Sequence, residues 1–254
     1  MTGARFPDLD GASVVVTGGA SGIGAALVTG FLQQGAQVAL IDIADADQAA
    51  DAMEKATGRR PLPLTCDVTD PAALDAALDR AATAHGGLRV LVNNAADDMR
   101  HDALDVTPET WDASLALNLD AYFHGCRKAA TLMGAGGGAI VNFSSITFQL
   151  GAAGMVPYMT ANAGIVGLTR ALAREWGPRD IRVNAVAPGW VLTEKQREKW
   201  ASEAGIAAFK ERQALKRMLE PDDMVGPVLF LASAASGAVT GQVLVADAGV
   251  VHSA

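Results

Sequence analysis

The chain has 254 residues and a formal net charge of −8. Half of its residues are hydrophobic and 27 are glycine, which argues against disorder and suits helices packed closely on a sheet. The acidic balance argues against nucleic acid or an anionic membrane as a partner. The length suits one large α/β domain, and we expect a single domain over residues 1–254.

Targeting and metal signals are absent from the sequence. The N-terminus has no basic-then-apolar signal pattern and no apolar run approaches membrane length, so we expect a cytoplasmic protein. The two cysteines, Cys66 and Cys126, suit buried thiols in a reducing compartment. The four histidines show no paired metal-ligand spacing, so we assign no metal.

A strand, a glycine turn and a helix follow one another near the start of the chain. Ser13–Thr17 is a short apolar run, typical of a parallel strand covered on both faces, and residues 23–34 have helical periodicity. Between them lie five candidate cofactor residues: Gly18, Ser21, Gly22, Ile23 and Gly24. Glycines permit a tight turn and close approach to a phosphate, and the helix N-terminus offers N–H groups to a pyrophosphate. This order predicts a dinucleotide site.

The second predicted strand, residues 37–41, ends at Asp42. A carboxylate there accepts hydrogen bonds from both hydroxyls of an adenosine ribose and repels a 2′-phosphate. No Arg or Lys lies between Gly18 and Gly24 or directly after Asp42. The pattern therefore favours NAD over NADP, the alternative being a solvated carboxylate at a strand end.

Strands and helices alternate along the rest of the chain, which predicts βαβ units and a doubly wound, mostly parallel sheet of Rossmann type. Further strands are predicted at residues 62–66, 88–92, 139–143, 181–187 and 242–246. Helices are predicted at residues 45–57, 72–84, 108–133, 158–176 and 221–233. Residues 13–187 would then contain the dinucleotide-binding core. Asp67, at the end of the third strand, would reach the adenine or cap its own turn.

Polar residues follow the fourth predicted strand. After Asn93 to Ala96 the chain continues Asp97-Asp98-Met99-Arg100-His101-Asp102, and we name residues 97–102 the polar loop. A solvated loop is one explanation. However, open α/β sheets bind ligands at the carboxyl ends of strands, and a substrate with many hydroxyls would use carboxylate and Arg partners.

Residues 193–218 are charged and helix-prone, and Trp190, Trp200 and Phe209 are interspersed in this region. An exposed helix pair joined by ion pairs is one interpretation. The position after a strand's carboxyl end also favours a substrate lid. We name residues 190–220 the lid.

Tyr158 and Asn162 should lie in the first turn of a long helix, because Pro157 directly precedes them. Positions i and i+4 share a helix face, so the phenol and the amide point the same way. A phenol near its ordinary pKa of ~10 is almost wholly protonated at pH 7, so a general base here needs help from a neighbour. Asn162 donates and accepts hydrogen bonds but has no charge.

Taken together, these residues resemble the short-chain dehydrogenase/reductase family over essentially the whole chain. The matching residues, in the family's order, are Thr17, Gly18, Gly22, Gly24, Asn93, Asn94, Ala95, Asn118, Ser145, Tyr158, Pro188 and Gly189. Ser145 rather than Ser144 matches the family's serine, because it lies 13 positions before Tyr158.

The resemblance implies a seven-stranded parallel sheet, a Tyr158 base, a Ser145 hydrogen bond to the substrate, an Asn118 proton relay and, commonly, a homotetramer. It also implies further cofactor contacts from Val68, Asn94, Tyr158, Pro188, Val191 and Thr193.

A narrower likeness is to the bacterial NAD-dependent aldose 1-dehydrogenases. It rests on Asp97-Asp98-x-Arg100-His101 in the polar loop and Gln196-x-Glu198-Lys199-Trp200 in the lid. Such enzymes oxidise the anomeric carbon of sugars such as D-xylose, L-arabinose or L-rhamnose to a lactone. The likeness implies that a sugar would contact Asp98, Arg100, Ser145, Gln149, Tyr158 and Trp190.

One position departs from the family, which has Lys where this chain has Asn162. In the family that Lys binds the nicotinamide ribose and lowers the pKa of the Tyr. Three interpretations stay open: a working dehydrogenase with a rewired relay, acting on an aldose or another secondary alcohol; an NAD-binding sensor or oligomer partner with little turnover; and an introduced inactivating change.

Overall fold

Seven parallel strands form the central sheet, in the order β3-β2-β1-β4-β5-β6-β7. The computed structural model describes residues 3–251. The strands are β1 (Ser13–Thr17), β2 (Gln37–Asp42), β3 (Leu62–Thr65), β4 (Val90–Asn93), β5 (Gly138–Phe143), β6 (Ile181–Pro188) and β7 (Val243–Ala246). The order reverses between β1 and β4, the kind of point at which open α/β sheets bind ligands. The predicted doubly wound, seven-stranded parallel sheet is confirmed.

Helices cover both faces of the sheet. They are α1 (Gly22–Gln33), α2 (Ala46–Thr57), α3 (Pro71–His85), α4 (Pro108–Leu115), α5 (Ala121–Met133), α6 (Thr147–Leu150), α7 (Val156–Trp176), α8 (Glu194–Lys199), α9 (Glu203–Arg212) and α10 (Val225–Ala232). Along β1, Val14 and Val16 pack in one core cluster with Phe31 of α1, whereas Val15 packs in the other with Leu78 of α3. Because both faces are buried, the strand is apolar throughout.

The predicted helical region over residues 108–133 is helical throughout, but it is not one regular α-helix. The structure has α4 and α5 joined by a π-helical turn, Ala116–Asp120. There the side-chain Nδ2 of Asn118 donates to the backbone oxygen of Ser114, 2.9 Å away. That oxygen is the one a regular α-helix would pair with the Asn118 N–H, so the side chain occupies the place of a backbone bond.

Other boundaries differ by a few residues. Helix α7 begins at Val156, two residues before the predicted start at Tyr158, and Pro157 lies in its first turn. The predicted strand at residues 88–92 runs over Val90–Asn93, and the last predicted helix is a 3-10 turn, Pro221–Met224, followed by α10. The two helices expected in the lid are α8 and α9.

None of the helices within residues 3–251 is long and apolar enough to cross a membrane. Both Cys66 and Cys126 are buried and unpaired, as the sequence predicted.

Candidate active site

A cavity of about 1550 Å³ opens at the carboxyl ends of the strands. It brings together nearly all of the predicted site residues: Gly18, Ser21, Gly22, Ile23, Asp42, Asp67, Val68, Asn94, Asp98, Arg100, Asn118, Ser145, Tyr158, Asn162, Pro188, Trp190, Val191 and Thr193. Gly24 packs beneath the turn and does not line the cavity. Gln149 is exposed on α6 and does not line it either, so the expected contact with substrate lacks support.

The glycine turn after β1 has the shape of a dinucleotide cradle. A Cβ on Gly24 would overlap the carbonyl oxygen of Gly18, and Gly18 and Gly22 have φ angles of +65° and +53°. The side chain of Ser21, at the N-cap of α1, accepts no hydrogen bond from the helix. The N-terminal end of α1 therefore faces the cavity without a side-chain cap, as a bound pyrophosphate requires.

Asn94 joins this turn to the end of β4. Its Nδ2 donates to the backbone oxygens of Thr17 and Gly18, at 3.0 and 3.1 Å. The Thr17 hydroxyl accepts from the backbone N–H groups of Asn94 and Ala95 in return. The two sides of the cofactor cleft are thus fixed to each other by paired hydrogen bonds.

Two carboxylates lie at the adenosine end of the cavity. Asp42 accepts from the backbone N–H groups of Ala20 and Ala44, at 2.9 and 3.0 Å, which orients its carboxylate at the end of β2. Asp67 accepts from the hydroxyl and the backbone N–H of Thr69, and these bonds lower the pKa of its carboxyl. Asp67 therefore caps its own turn while it lines the cavity.

Ser145 and Tyr158 meet inside the cavity. The Ser145 Oγ accepts from the hydroxyl and the backbone N–H of Thr147, at 3.0 and 3.2 Å, so its own proton can be donated to the Tyr158 oxygen or to a ligand oxygen. Burial and the charge of Asp98 raise the pKa of Tyr158 to about 12, against hydrogen bonding from Ser145 and Asn162. The phenol is therefore protonated at neutral pH.

Asn162 is turned back against its own helix. Its Nδ2 donates to the backbone oxygen of Tyr158, 2.9 Å away, and its backbone oxygen accepts from the Ser144 hydroxyl. The residue is 3% exposed and lines the cavity. Asn162 is therefore polar but uncharged at the position where the family has a lysine.

Asn118 anchors the polar loop. Its Oδ1 accepts from the Asp97 backbone N–H at 3.0 Å, and its Nδ2 donates to the Asp97 backbone oxygen at 3.1 Å. The same Nδ2 also reaches Ser114. Because the amide is engaged on both atoms, a proton relay through Asn118 would have to use its backbone carbonyl.

Side chains of the lid contact the polar loop directly. Lys195 on α8 pairs with Asp97 at 2.7 Å and with Asp98 at 3.4 Å. The Gln196 amide donates to Asp98 at 2.7 Å and accepts from the Trp190 indole at 2.9 Å. The Arg100 guanidinium lies 4.3 Å from the Trp200 ring centroid. The lid is thus closed over the cavity in this structure.

Three residues of the site were not among the predicted ones. Tyr122 is buried on α5 and lines the cavity; burial, and then the charge of Tyr158, raise its pKa. It lies one helical turn after Asn118, a spacing that could have identified it. Lys195 and Gln196 meet the polar loop across about a hundred residues of chain, which no local pattern reveals.

Comparisons with known proteins agree with this geometry. A family model described as enoyl-(acyl carrier protein) reductase matches residues 18–251. A protein of Rhizobium meliloti named probable galactose dehydrogenase is 50% identical, covering 98% of this chain and 99% of its own length. The D-xylose 1-dehydrogenase of Caulobacter vibrioides is 44% identical with the same coverage.

Among solved structures, a short-chain type dehydrogenase/reductase from Mycobacterium marinum superposes with a TM-score of 0.90 and 31% identity, covering 98% of both chains. The chain belongs to the short-chain dehydrogenase/reductase family. It is an oxidoreductase whose fold binds a nicotinamide dinucleotide. The resemblance inferred from the sequence motifs is confirmed.

Proposed function

We propose that the protein oxidises an aldose at its anomeric carbon, with NAD as the hydride acceptor and an aldonolactone as the product. The observation that supports this most is the shared cavity, in which Ser145 and Tyr158 lie together with Asp98 and Arg100 of the polar loop. Carboxylate and guanidinium groups suit the many hydroxyls of a sugar. The two relatives named as galactose and D-xylose dehydrogenases support the same substrate class.

The catalytic roles proposed here are those that the family resemblance implies, and the shared cavity of Ser145 and Tyr158 supports them. Tyr158 removes the hydroxyl proton as general base, and Ser145 donates a hydrogen bond to the substrate oxygen. A bound NAD would supply the hydride acceptor and the positive charge of its nicotinamide. Asn162 donates one amide hydrogen to the Tyr158 carbonyl. Its second amide hydrogen and its Oδ1 would hold a ribose hydroxyl or a water.

The choice of NAD over NADP rests on Asp42. Its oriented carboxylate suits two ribose hydroxyls and would repel a 2′-phosphate. The cationic residues that line the cavity are Arg100, Lys195 and Arg212, and all of them belong to the polar loop or the lid. A 2′-phosphate at Asp42 would therefore meet no neutralising partner among these cavity residues.

The scarcity of phenolate in this site favours an anomeric hydroxyl over an ordinary secondary alcohol. Tyr158 has little phenolate at neutral pH, because its pKa is raised to about 12. Loss of a proton costs less from a more acidic hydroxyl, and the ring oxygen of a cyclic sugar withdraws electron density from the anomeric carbon. An aldose therefore needs less help from the missing cation than another alcohol would.

A second candidate is an NAD-binding protein with little turnover. The observation that favours it is the amide of Asn162, which is turned towards the Tyr158 carbonyl and supplies no charge beside the phenol.

One assay separates these candidates. The protein would be incubated with NAD or NADP and a panel of aldoses at pH 7 and pH 10, with D-threitol as an open-chain comparison, and NADH absorbance recorded. We expect aldose-dependent NADH, a lactone product trapped as its hydroxamate, and no activity in Tyr158→Phe. Activity with threitol alone would favour a different alcohol substrate. Tight NAD binding without turnover would favour the second candidate.

A further inference from the structure

Lys195 is the cation that the fold brings to the acidic side of the cavity. Its Nζ lies 2.7 Å from Asp97 Oδ1 and 3.4 Å from Asp98 Oδ1. The side chains of Lys195 and Asp97 are each about two fifths exposed, whereas that of Asp98 is only 17% exposed. Partial burial opposes the charge on Lys195, but the bonds to Asp97 and Asp98 outweigh it and raise the pKa of the amine. Lys195 therefore stays charged well above neutral pH.

The two carboxylates act on Tyr158. After burial, Asp98 and then Asp97 are the charges that disfavour its phenolate. The other titratable groups around this end of the cavity are Arg100, Tyr122, Glu194, Glu198 and Arg212. Lys195 forms the ion pairs with Asp97 and Asp98, whereas the guanidinium groups of Arg100 and Arg212 lie over Trp200 and Phe209.

The same contacts hold the lid. Lys195 and Gln196 are neighbours on α8, and both bind the polar loop: Gln196 donates to Asp98 Oδ2 at 2.7 Å. The opposite oxygen of Asp98 faces Lys195. Asp98 is therefore held on both oxygens by one turn of the lid, beside the phenol on α7.

We propose that Lys195 is a positioning residue for hydride transfer: it docks the lid on the polar loop and neutralises Asp97 and Asp98 beside Tyr158, partly replacing the charge that Asn162 lacks. The proposal rests on the proposed function in one respect, the role of Tyr158 as general base. It assigns to the lid an electrostatic task that the family's pattern gives to a residue one helical turn from the tyrosine. Closure of the lid would then both enclose the substrate and bring the Lys195 charge to Asp97 and Asp98 beside the base.

The test compares Lys195→Met with Lys195→Arg and with Lys199→Met, a matched control that removes the same charge from an exposed position on α8. Hydrogen exchange of α8 and the polar loop measures docking without any need for turnover. We expect Lys195→Met to speed exchange in both segments by about tenfold or more, and the other two variants to behave as wild type. Equal exchange in Lys195→Met and wild type would overturn the docking role.

The charge role is tested by the pH dependence of kcat/KM for the best aldose. Measured in an Asn162→Lys background, which lowers the pKa of Tyr158 towards the working range, Lys195→Met should lose about tenfold at pH 7, as expected for a pKa increase of roughly one unit in Tyr158, and the loss should shrink as the pH rises towards the plateau. Lys195→Arg should restore the profile. In an Asp97→Asn/Asp98→Asn background, removal of Lys195 should have little further effect on the pH dependence.

A loss that is the same at every pH, plateau included, would show a merely structural residue and overturn the charge role. Absence of turnover with every substrate in wild type would defeat the proposed function, and the charge role with it. The exchange comparison would still decide whether Lys195 docks the lid.

Discussion

The two ends of the cavity are held by different kinds of contact. At the cofactor end, the glycine turn is shaped by backbone geometry and by the Asn94 bonds to Thr17 and Gly18. At the substrate end, the lid meets the polar loop through side chains alone in the contacts described above, chiefly Lys195 and Gln196.

This difference has a physical consequence. Backbone contacts within a turn leave few alternative arrangements, so the cofactor end should be rigid with or without ligand. The ion pairs at the substrate end join partly exposed side chains and are screened by salt, so this end can open. A dehydrogenase needs both properties, because the cofactor must be oriented while the lid admits substrate.

The largest expected effect comes from adding one methyl group at the rigid end. Gly24→Ala would place a Cβ against the Gly18 carbonyl oxygen and force the turn to move. We expect NADH affinity to fall at least ~100-fold, because the backbone must approach the pyrophosphate closely. Fluorescence titration of NADH measures this.

Gly167→Ala is the matched control, since a Cβ on Gly167 in α7 would meet no atom within 4 Å among the described residues. It should bind NADH normally and unfold at the same or a slightly higher temperature. If Gly24→Ala binds as well as this control, the turn is not as constrained as its geometry indicates.

A second test replaces the charge at the adenosine end and keeps the shape. Asp42→Asn can still accept the Ala20 N–H but loses its negative charge. Bonds to a charged group contribute about 1.5–3 kcal/mol, so kcat/KM with NAD should fall by roughly ten- to a hundredfold. The preference for NAD over NADP should narrow as well, because the repulsion of a 2′-phosphate is removed.

Steady-state kinetics with both cofactors would check this. Asp67→Asn is the control, because Asp67 lines the same cavity but is bonded to Thr69. It should leave the cofactor preference unchanged. An equal change in both variants would mean that overall charge, and not Asp42, sets the choice.

These two regions also differ in how well the sequence predicts them. Ser13–Thr17, the glycine turn and Asp42 are neighbours in sequence, and local geometry requires their residue types. Ser145 and Tyr158 are likewise separated by a loop and a short helix that leave them little freedom. The strands of the sheet and most of the predicted site could therefore be found before the structure.

The substrate end could not be predicted in the same way. Lys195 meets Asp97 and Asp98 only after β4, β5 and β6 are assembled, and charged helices usually point at solvent. The sequence predicts a helical region over residues 108–133 but not the π-helical turn within it, in which the Asn118 side chain bonds to Ser114 and, outside the helix, to Asp97. Gln149 was placed in the site by resemblance, and the structure leaves it exposed.

A third test supplies the missing cation. In Asn162→Lys, a positive charge one turn from Tyr158 should lower a pKa that is now raised to about 12. The phenolate is the active form and predominates only above the pKa. Lowering the pKa therefore moves the ascending limb of the pH–rate profile to lower pH. Each unit gives about tenfold more phenolate at neutral pH, so we expect kcat/KM at pH 7 to rise at least ~10-fold.

Asn162→Met is the matched control, with a long side chain and no charge. It should show no such gain and no shift of the pH optimum. If both variants gain equally, the length of the side chain rather than its charge is what this site lacks. If neither changes the profile, Tyr158 is not limited by its pKa.

The smallest expected effect is at the stacked pair between loop and lid. Arg100→Met removes a guanidinium that lies 4.3 Å from the Trp200 centroid, a contact worth about 0.5–1 kcal/mol. KM for the sugar should rise two- to fivefold, with kcat nearly unchanged, because the contact holds the closed lid but lies outside the Ser145–Tyr158 pair.

Arg212→Met is the control, since its pairing with Phe209 at 5.7 Å joins two residues of the lid to each other. A larger rise in KM for Arg100→Met than for Arg212→Met, together with faster hydrogen exchange of α8 without substrate, would show that contacts between loop and lid, and not stacking within the lid, determine closure. Equal effects would mean that the Arg100–Trp200 contact does not determine closure.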